Sequence, residues 1–203
     1  MRAHAPPRLA VLLLLALPAS ALAQSNIRLS YEMAVPSLGT SDFIDRFSSR
    51  GAHLDASIEV APAFNFELSL GWNLFNAAKT GVLHISDGRD VSGKQFRYLN
   101  AIPAMGGFAF HIPLRGGGRI WFGANAGGAI IERLVDVGMG TYSRTQWQWG
   151  VMPQIGIAFG IDRKAGTAIF FSGRWEYYWE QAGSPKQSWF GIGVGFLFGA
   201  GRK

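Results

Sequence analysis

The chain has 203 residues, 27 glycines, no cysteine and a formal net charge of +6. Hydrophobic residues make up 48% and charged residues only 16%, too apolar for a disordered chain and well below the roughly 25% charge of an ordinary soluble domain. The missing cysteines exclude a disulfide scaffold, a thiolate metal site and a cysteine-anchored lipoprotein, and charges of mixed sign without a Lys/Arg run exclude nucleic-acid binding.

Residues 1–23 have the layout of an export signal. Arg2 and Arg8 give a positive start, Leu9–Leu17 is apolar, and Ala21-Leu22-Ala23 fits a small-residue cleavage site before Gln24. The apolar run is too short to span a bilayer, which takes about 18–20 residues. Residues 24–203 form the single domain of the exported protein.

That domain alternates with period two, as strands with two unlike faces do. In the first, Ile27, Leu29, Tyr31, Met33 and Val35 oppose Arg28, Ser30, Glu32 and Ala34. Pro36 ends it, and a polar connection runs to Arg50, with Asp42–Phe47 expected to form a short helix or to pack on the rim. The second strand, Gly51–Ala61, sets Leu54, Ile58 and Val60 against His53, Asp55, Ser57 and Glu59, and Ala61-Pro62-Ala63 turns it tightly. The third follows at once, with Phe64, Phe66, Leu68, Leu70, Trp72 and Leu74 on one face. A long, mixed connection is expected over Asn76–Gly93.

The fourth strand, Lys94–Ile112, carries Phe96, Tyr98, Ile102, Phe108, Phe110 and Ile112 in one parity and is interrupted by Pro103. A proline there predicts a bulge or kink; taken instead as a turn, it would add a strand and make the total odd. Pro113–Gly118 is a turn. Strand five, Arg119–Glu132, shows the weakest alternation, and a connection through Arg144 leads to strand six, Gln146–Ile161, where Pro153 predicts a second distortion. After the turn Asp162–Gly166, strand seven, Thr167–Glu180, sets Ile169, Phe171, Trp175, Tyr177 and Trp179 against Phe170, Ser172, Arg174 and Glu176. The last strand, Gln187–Phe198, opposes Phe190, Ile192, Val194, Phe196 and Phe198 to the bare Gly191, Gly193 and Gly195.

Connections after strands one, three and five are long and those after two, four and six short, which is the loop pattern of an outer-membrane barrel. Volume decides which face is inside. The greasy faces together hold far more large side chains than the bore of an eight-stranded barrel can take. The other face is mostly Gly, Ser, Ala and Asn, with Arg28, Arg97, Arg119 and Arg174 against Glu32, Asp55, Glu59, Glu67 and Glu176. Charges of both signs can pair in a polar lumen, whereas Arg or Lys facing lipid at the midplane costs about 2–4 kcal/mol. The predicted fold is therefore all-β, an eight-stranded antiparallel up-and-down transmembrane β-barrel. Its apolar face turns outward, and Tyr31, Trp72, Tyr98, Trp147, Trp149, Tyr177 and Trp179 form an aromatic girdle toward the long-loop end.

Over Ile27–Phe198 this pattern resembles the small eight-stranded outer-membrane β-barrel proteins of Gram-negative bacteria, the group of the outer membrane protein A and X barrels. Gly193-x-x-Phe196-x-Phe198 resembles the C-terminal signal read by the barrel-assembly machinery, although Gly191 stands where a polar residue is usual and Gly199–Lys203 follow the terminal aromatic. The resemblance implies a monomer in the cell outer membrane, in contact with outer-membrane lipids and lipopolysaccharide. It implies a plugged polar lumen and a structural or surface-interaction role through the external loops.

The family also includes lipid A-modifying enzymes, and His84-Ile85-Ser86 with Asp87 and Asp90 resembles the His-x-Ser element of lipid A deacylases. That element falls in an expected loop without a matching acid downstream, so no catalytic residue is assigned and no enzyme is expected. His53, Asp55 and Glu59 share a face and suit a metal or a proton relay, but lumen ion pairs account for them, so no metal or cofactor-binding residue is assigned either. A narrow pore is the third reading, disfavoured by the small bore of eight strands.

Overall fold

The computed structural model describes residues 25–85, 89–114, 118–162, 166–181 and 183–199; the expected signal segment lies outside them. Eight strands follow one another: β1 Ser25–Ser37, β2 Ser48–Ala61, β3 Phe64–Ile85, β4 Arg89–Pro113, β5 Arg119–Val137, β6 Gly140–Asp162, β7 Thr167–Tyr178 and β8 Gln187–Gly199. Among the described residues there is one short helix, α1 Leu38–Phe43, between β1 and β2. Each strand pairs antiparallel with the next, and β1 closes on β8 from Asn26–Gly199 to Ser37–Ser188. Closure leaves no free edge around the ring, the condition for a sheet to cross hydrocarbon.

The faces fall as the volume argument requires. Ile192 is 59% exposed on the outside while Glu67 is 0% exposed in the bore. Phe66 and Trp175 also keep to the outer parity, half-exposed. The bare face of β8 has a steric reason: a Cβ on Gly195 would sit 2.0 Å from the Leu29 carbonyl oxygen. On β6, Gly156 leaves room for the Trp121 ring, which a Cβ there would meet at 2.1 Å.

Both prolines stay within their strands, so there is no ninth strand. Pro103 keeps register with Ala129 of β5, but the β3–β4 ladder has no partners at Gly71–Trp72 and Ile102–Pro103. Pro153 keeps register with Ala124 of β5, and the β6–β7 ladder skips Met152–Pro153. A residue in an antiparallel sheet bonds one neighbour only, so a missing N–H opens the ladder on one side and spares the other.

Two expected loops are not loops. β3 and β4 continue pairing to Ile85–Arg89, and β5 and β6 pair to Val137–Gly140, with Gly138 in the left-handed region at φ 58°. The expected connections Asn76–Gly93 and Glu132–Arg144 are thus largely strand. The cause is a change of apolar face: Phe75, Ala77, Leu99, Val135 and Val137 are buried on the inner side, so the outward alternation ends while the sheet does not. β2 pairs with β3 only up to Gly51–Asn73, and β7 pairs with β6 only up to Tyr178–Gly150. Above those levels β3–β6 rise as a four-stranded sheet on one side of the ring. The expected Asp42–Phe47 helix lies four residues earlier, at Leu38–Phe43, and Phe43 and Ile44 are buried against the inner side of that sheet.

Candidate functional site

The polar faces of β1, β2, β3, β6 and β7 bring polar and charged side chains to one level of the bore. β1 contributes Arg28 and Glu32, β2 His53 and Asp55, β3 Glu67, Ser69 and Asn73, β6 Gln154, and β7 Arg174 and Glu176, all of them buried. Spacings of two and four along a strand keep these side chains on one face.

Arg28 spans two acids, with Nη2 2.8 Å from Glu67 Oε1 and Nε 3.6 Å from Asp55 Oδ2. Arg174 also spans two, with Nε 3.0 Å from Glu32 Oε2 and Nη2 3.3 Å from Asp55 Oδ2. Ser69 donates to Asp55 Oδ1 at 2.5 Å, and Gln154 donates to Glu67 Oε2 at 2.5 Å. Tyr178 donates to Glu176 Oε2 at 2.5 Å. His53 Nε2 lies 3.4 Å from both Glu32 Oε1 and Glu176 Oε1. His111 Nε2, nearer the short-turn end, is 3.8 Å from Glu67 Oε1.

Apolar layers bound this ionic level on both sides. Toward the short turns lie Trp121, Phe170 and Leu197, with the Arg28 guanidinium 4.7 Å over the Trp121 ring. Toward the long end Trp189 packs with Tyr178 and Phe75, at ring separations of 5.2 Å and 5.4 Å. Above them α1 caps the bore. Thr40 donates to Gln187 Oε1 and accepts from the Ser188 N–H, both at 2.9 Å, which fastens the helix to the start of β8. The guanidiniums of Arg133 and Arg97 lie 4.0 Å and 5.4 Å from the Phe43 ring centre.

Of the charges expected in the lumen, Arg28, Arg174, Glu32, Asp55, Glu67 and Glu176 meet in this one network. Arg97 instead joins the upper cap, donating to Gln95 Oε1 and the Phe43 carbonyl. Arg119 donates to Asn26 Oδ1 at the short-turn end, and Glu59 is half-exposed there. His53 was expected beside Asp55 and Glu59; its recorded partners are Glu32, Glu176 and Asn73 from three other strands. Sequence reasoning missed Tyr178, Trp121 and Trp189. The signal for the two tryptophans was their parity: each falls on the face otherwise given to small residues. His84 lies in β3 in register with Asp90, while Ser86 and Asp87 lie outside the described residues.

No protein-family model matches the chain. No curated protein is significantly similar to it in sequence. Solved structures match over 86% of the chain. Neisserial surface protein A is 12% identical with a TM-score of 0.52 over 95% of its own length. The outer membrane protein OprG from Pseudomonas aeruginosa is 10% identical with a TM-score of 0.51 over 94%. Ail, the attachment invasion locus protein of Yersinia pestis, solved in complex with the heparin analogue sucrose octasulfate, is 14% identical with a TM-score of 0.50 over 98%. At these identities the likeness is one of fold: the chain has the fold of the small eight-stranded outer-membrane β-barrels.

Proposed function

We propose that this chain is a monomeric integral protein of the outer membrane whose lumen is plugged and whose work is done at the long end, in a structural or surface-interaction role. The observation that carries the reading is the inverted barrel: Leu54, Leu70, Phe108, Phe122, Ile155, Phe171 and Ile192 all lie on the outside, while the ion pairs lie in the bore. In water that outer belt would be an aggregation surface; in acyl chains it is the matching solvent. Residues 1–23 serve export to the periplasm, and Gly193, Phe196 and Phe198 are offered to the barrel-assembly machinery. Lipids of the outer membrane, lipopolysaccharide among them, contact the belt. No catalytic residue is part of this reading.

The ionic level between two aromatic layers supports a closed bore, so no steady conductance is expected in planar bilayers. The rising sheet supports an interaction role. Among the described residues, β3 above Asn73 has no strand on its β2 side, and a bare edge presents N–H and C=O groups to an extended partner segment. Fractionation and gel electrophoresis test the assignment: the folded protein should stay with the outer membrane and migrate differently unheated and boiled. A soluble protein without that mobility difference overturns it.

A further inference from the structure

The group around His53 is built differently from the rest of the ionic level. An imidazolium bonded to a carboxylate closes to about 2.7–2.9 Å, yet Nε2 stands 3.4 Å from both Glu32 Oε1 and Glu176 Oε1. Glu32 Oε1 has no hydrogen-bond partner although Glu32 is fully buried. The Asn73 amide nitrogen lies 3.3 Å from His53 Nε2 and 3.2 Å from Glu176 Oε1, and the Asn73 Oδ1 has no partner. Glu32 Oε1, His53 Nε2 and Glu176 Oε1 thus face one another inside the bore, with the Asn73 amide beside them.

The two separations at His53 match the edges of a metal polyhedron. Four ligands held about 2.0–2.1 Å from a tetrahedral zinc ion stand about 3.3–3.4 Å apart. The ligand atoms of Glu32, His53 and Glu176 all lie within 4.8 Å of one another. Half a turn of the Asn73 amide would put its unpartnered oxygen where the nitrogen stands, 3.3 Å from His53 Nε2 and 3.2 Å from Glu176 Oε1. The other oxygens of the two carboxylates are already held, Glu32 Oε2 by Arg174 at 3.0 Å and Glu176 Oε2 by Tyr178 at 2.5 Å, the outer support that orients ligating carboxylates. Two glycines make the space: a Cβ on Gly191 would meet Glu32 Oε1 at 2.4 Å, and one on Gly71 would meet the His53 ring at 2.3 Å.

Charge points the same way. Four buried carboxylates, Glu32, Asp55, Glu67 and Glu176, stand against two buried guanidiniums, Arg28 and Arg174, in a level from which water is largely excluded. A divalent cation at this point lies among the carboxylates in surplus. We propose that Glu32, His53 and Glu176, completed by Asn73, form a four-coordinate site for a divalent transition-metal ion of the zinc class. The site departs from the metal-free expectation of the sequence. Its ligands come from β1, β2, β3 and β7, so the ion clips four strands across the bore and is loaded as the barrel closes.

The test is to refold the full chain from urea into detergent with and without zinc, desalt it, and measure bound metal by mass spectrometry. About one zinc per folded chain is expected, falling about tenfold or more in His53→Ala. Metal below a tenth of an equivalent in the folded wild type overturns the proposal, as does equal metal in a folded His53→Ala. If that variant does not fold, refolding the wild type with Co2+ decides. Intense visible bands of four-coordinate Co2+ support the site, and their absence from a folded, Co2+-treated sample overturns it. Either negative result would leave the outer-membrane assignment standing, since heat-dependent mobility reads folding independently of metal.

Discussion

The ring of the barrel and the sheet that rises above it are made from the same strands with opposite faces greasy. Within the ring, β3 points Leu68, Leu70 and Trp72 outward and Glu67, Ser69 and Asn73 inward; past Asn73 the same inward parity carries the buried Phe75 and Ala77. β5 does likewise, from Phe122 and Ile130 outside to Ile131, Val135 and Val137 inside. The backbone pairing between β4 and β5 is unbroken through the change, so what switches is the solvent on the outer side. Where acyl chains surround the sheet, the apolar face turns out to them; where water does, it turns in against α1, as in any soluble sheet.

The largest effect expected from this difference concerns the two arginine settings. Arg174 is buried between Glu32 and Asp55, and Arg174→Leu leaves two carboxylates short of a partner, a change of about 3–5 kcal/mol for a broken buried pair. Arg97 belongs to the upper cap and is only half-buried; Arg97→Leu should cost about 1 kcal/mol or less. Urea unfolding of the refolded barrel, followed by gel mobility, measures both. Equal costs would mean that the ionic level is no drier than the rim.

Next in size is a charge placed on the belt. Val194 lies near the middle of β8, in register with Tyr31 on one side and Phe171 on the other. Val194→Lys should lower stability in lipid vesicles by about 2–4 kcal/mol, the cost of a midplane lysine facing hydrocarbon. A loss below about 0.5 kcal/mol, within the ordinary surface range, would deny that lipid covers this position.

Legibility in the sequence follows the same boundary. The ring was readable because lipid outside and a narrow bore inside impose one rule on every second residue, from Ile27 to Phe198. The rising sheet reads as loops because Asn76–Gly93 and the segment after Glu132 lose outward alternation, and the pattern that replaces it, Phe75, Ala77, Leu99 and Val135 facing inward, depends on strands far apart in sequence. Membership of the ionic level was readable from parity for Arg28, Asp55 and Glu67. Its connectivity was not: Glu32 reaches His53 from a neighbouring strand and Glu176 reaches it across the bore, and only the register of the closed ring sets those distances.

Replacing Thr80–Lys94 with a short turn separates the two regions directly. The ladder below it, from Phe64–Phe110 to Leu70–Ala104, lies within the ring and keeps its partners. Unfolding midpoint and heat-dependent mobility should therefore change little, by about 1 kcal/mol or less, since exposed hairpins open at the low end of the stability range. Any binding to surface partners should fall. A barrel that no longer folds would make this hairpin part of the ring's own stability.

The smallest effect is the most discriminating, because it repeats the belt substitution in the other solvent. Val82 is 52% exposed on β3, and Val194 is 38% exposed on β8; by exposed area alone, Val82 is the more open of the two. Both are strand valines on an outer face, so strand propensity and lost rotamer freedom nearly cancel between them. Val82→Lys should change stability by less than about 0.5 kcal/mol, as surface substitutions in water do, and its difference from Val194→Lys isolates the hydrocarbon term. Measuring the pair in vesicles and again at raised salt sharpens it further: screening acts on a lysine in water and barely on one in acyl chains. If the two lysines cost the same, the change of apolar face between ring and rising sheet does not mark where the membrane ends.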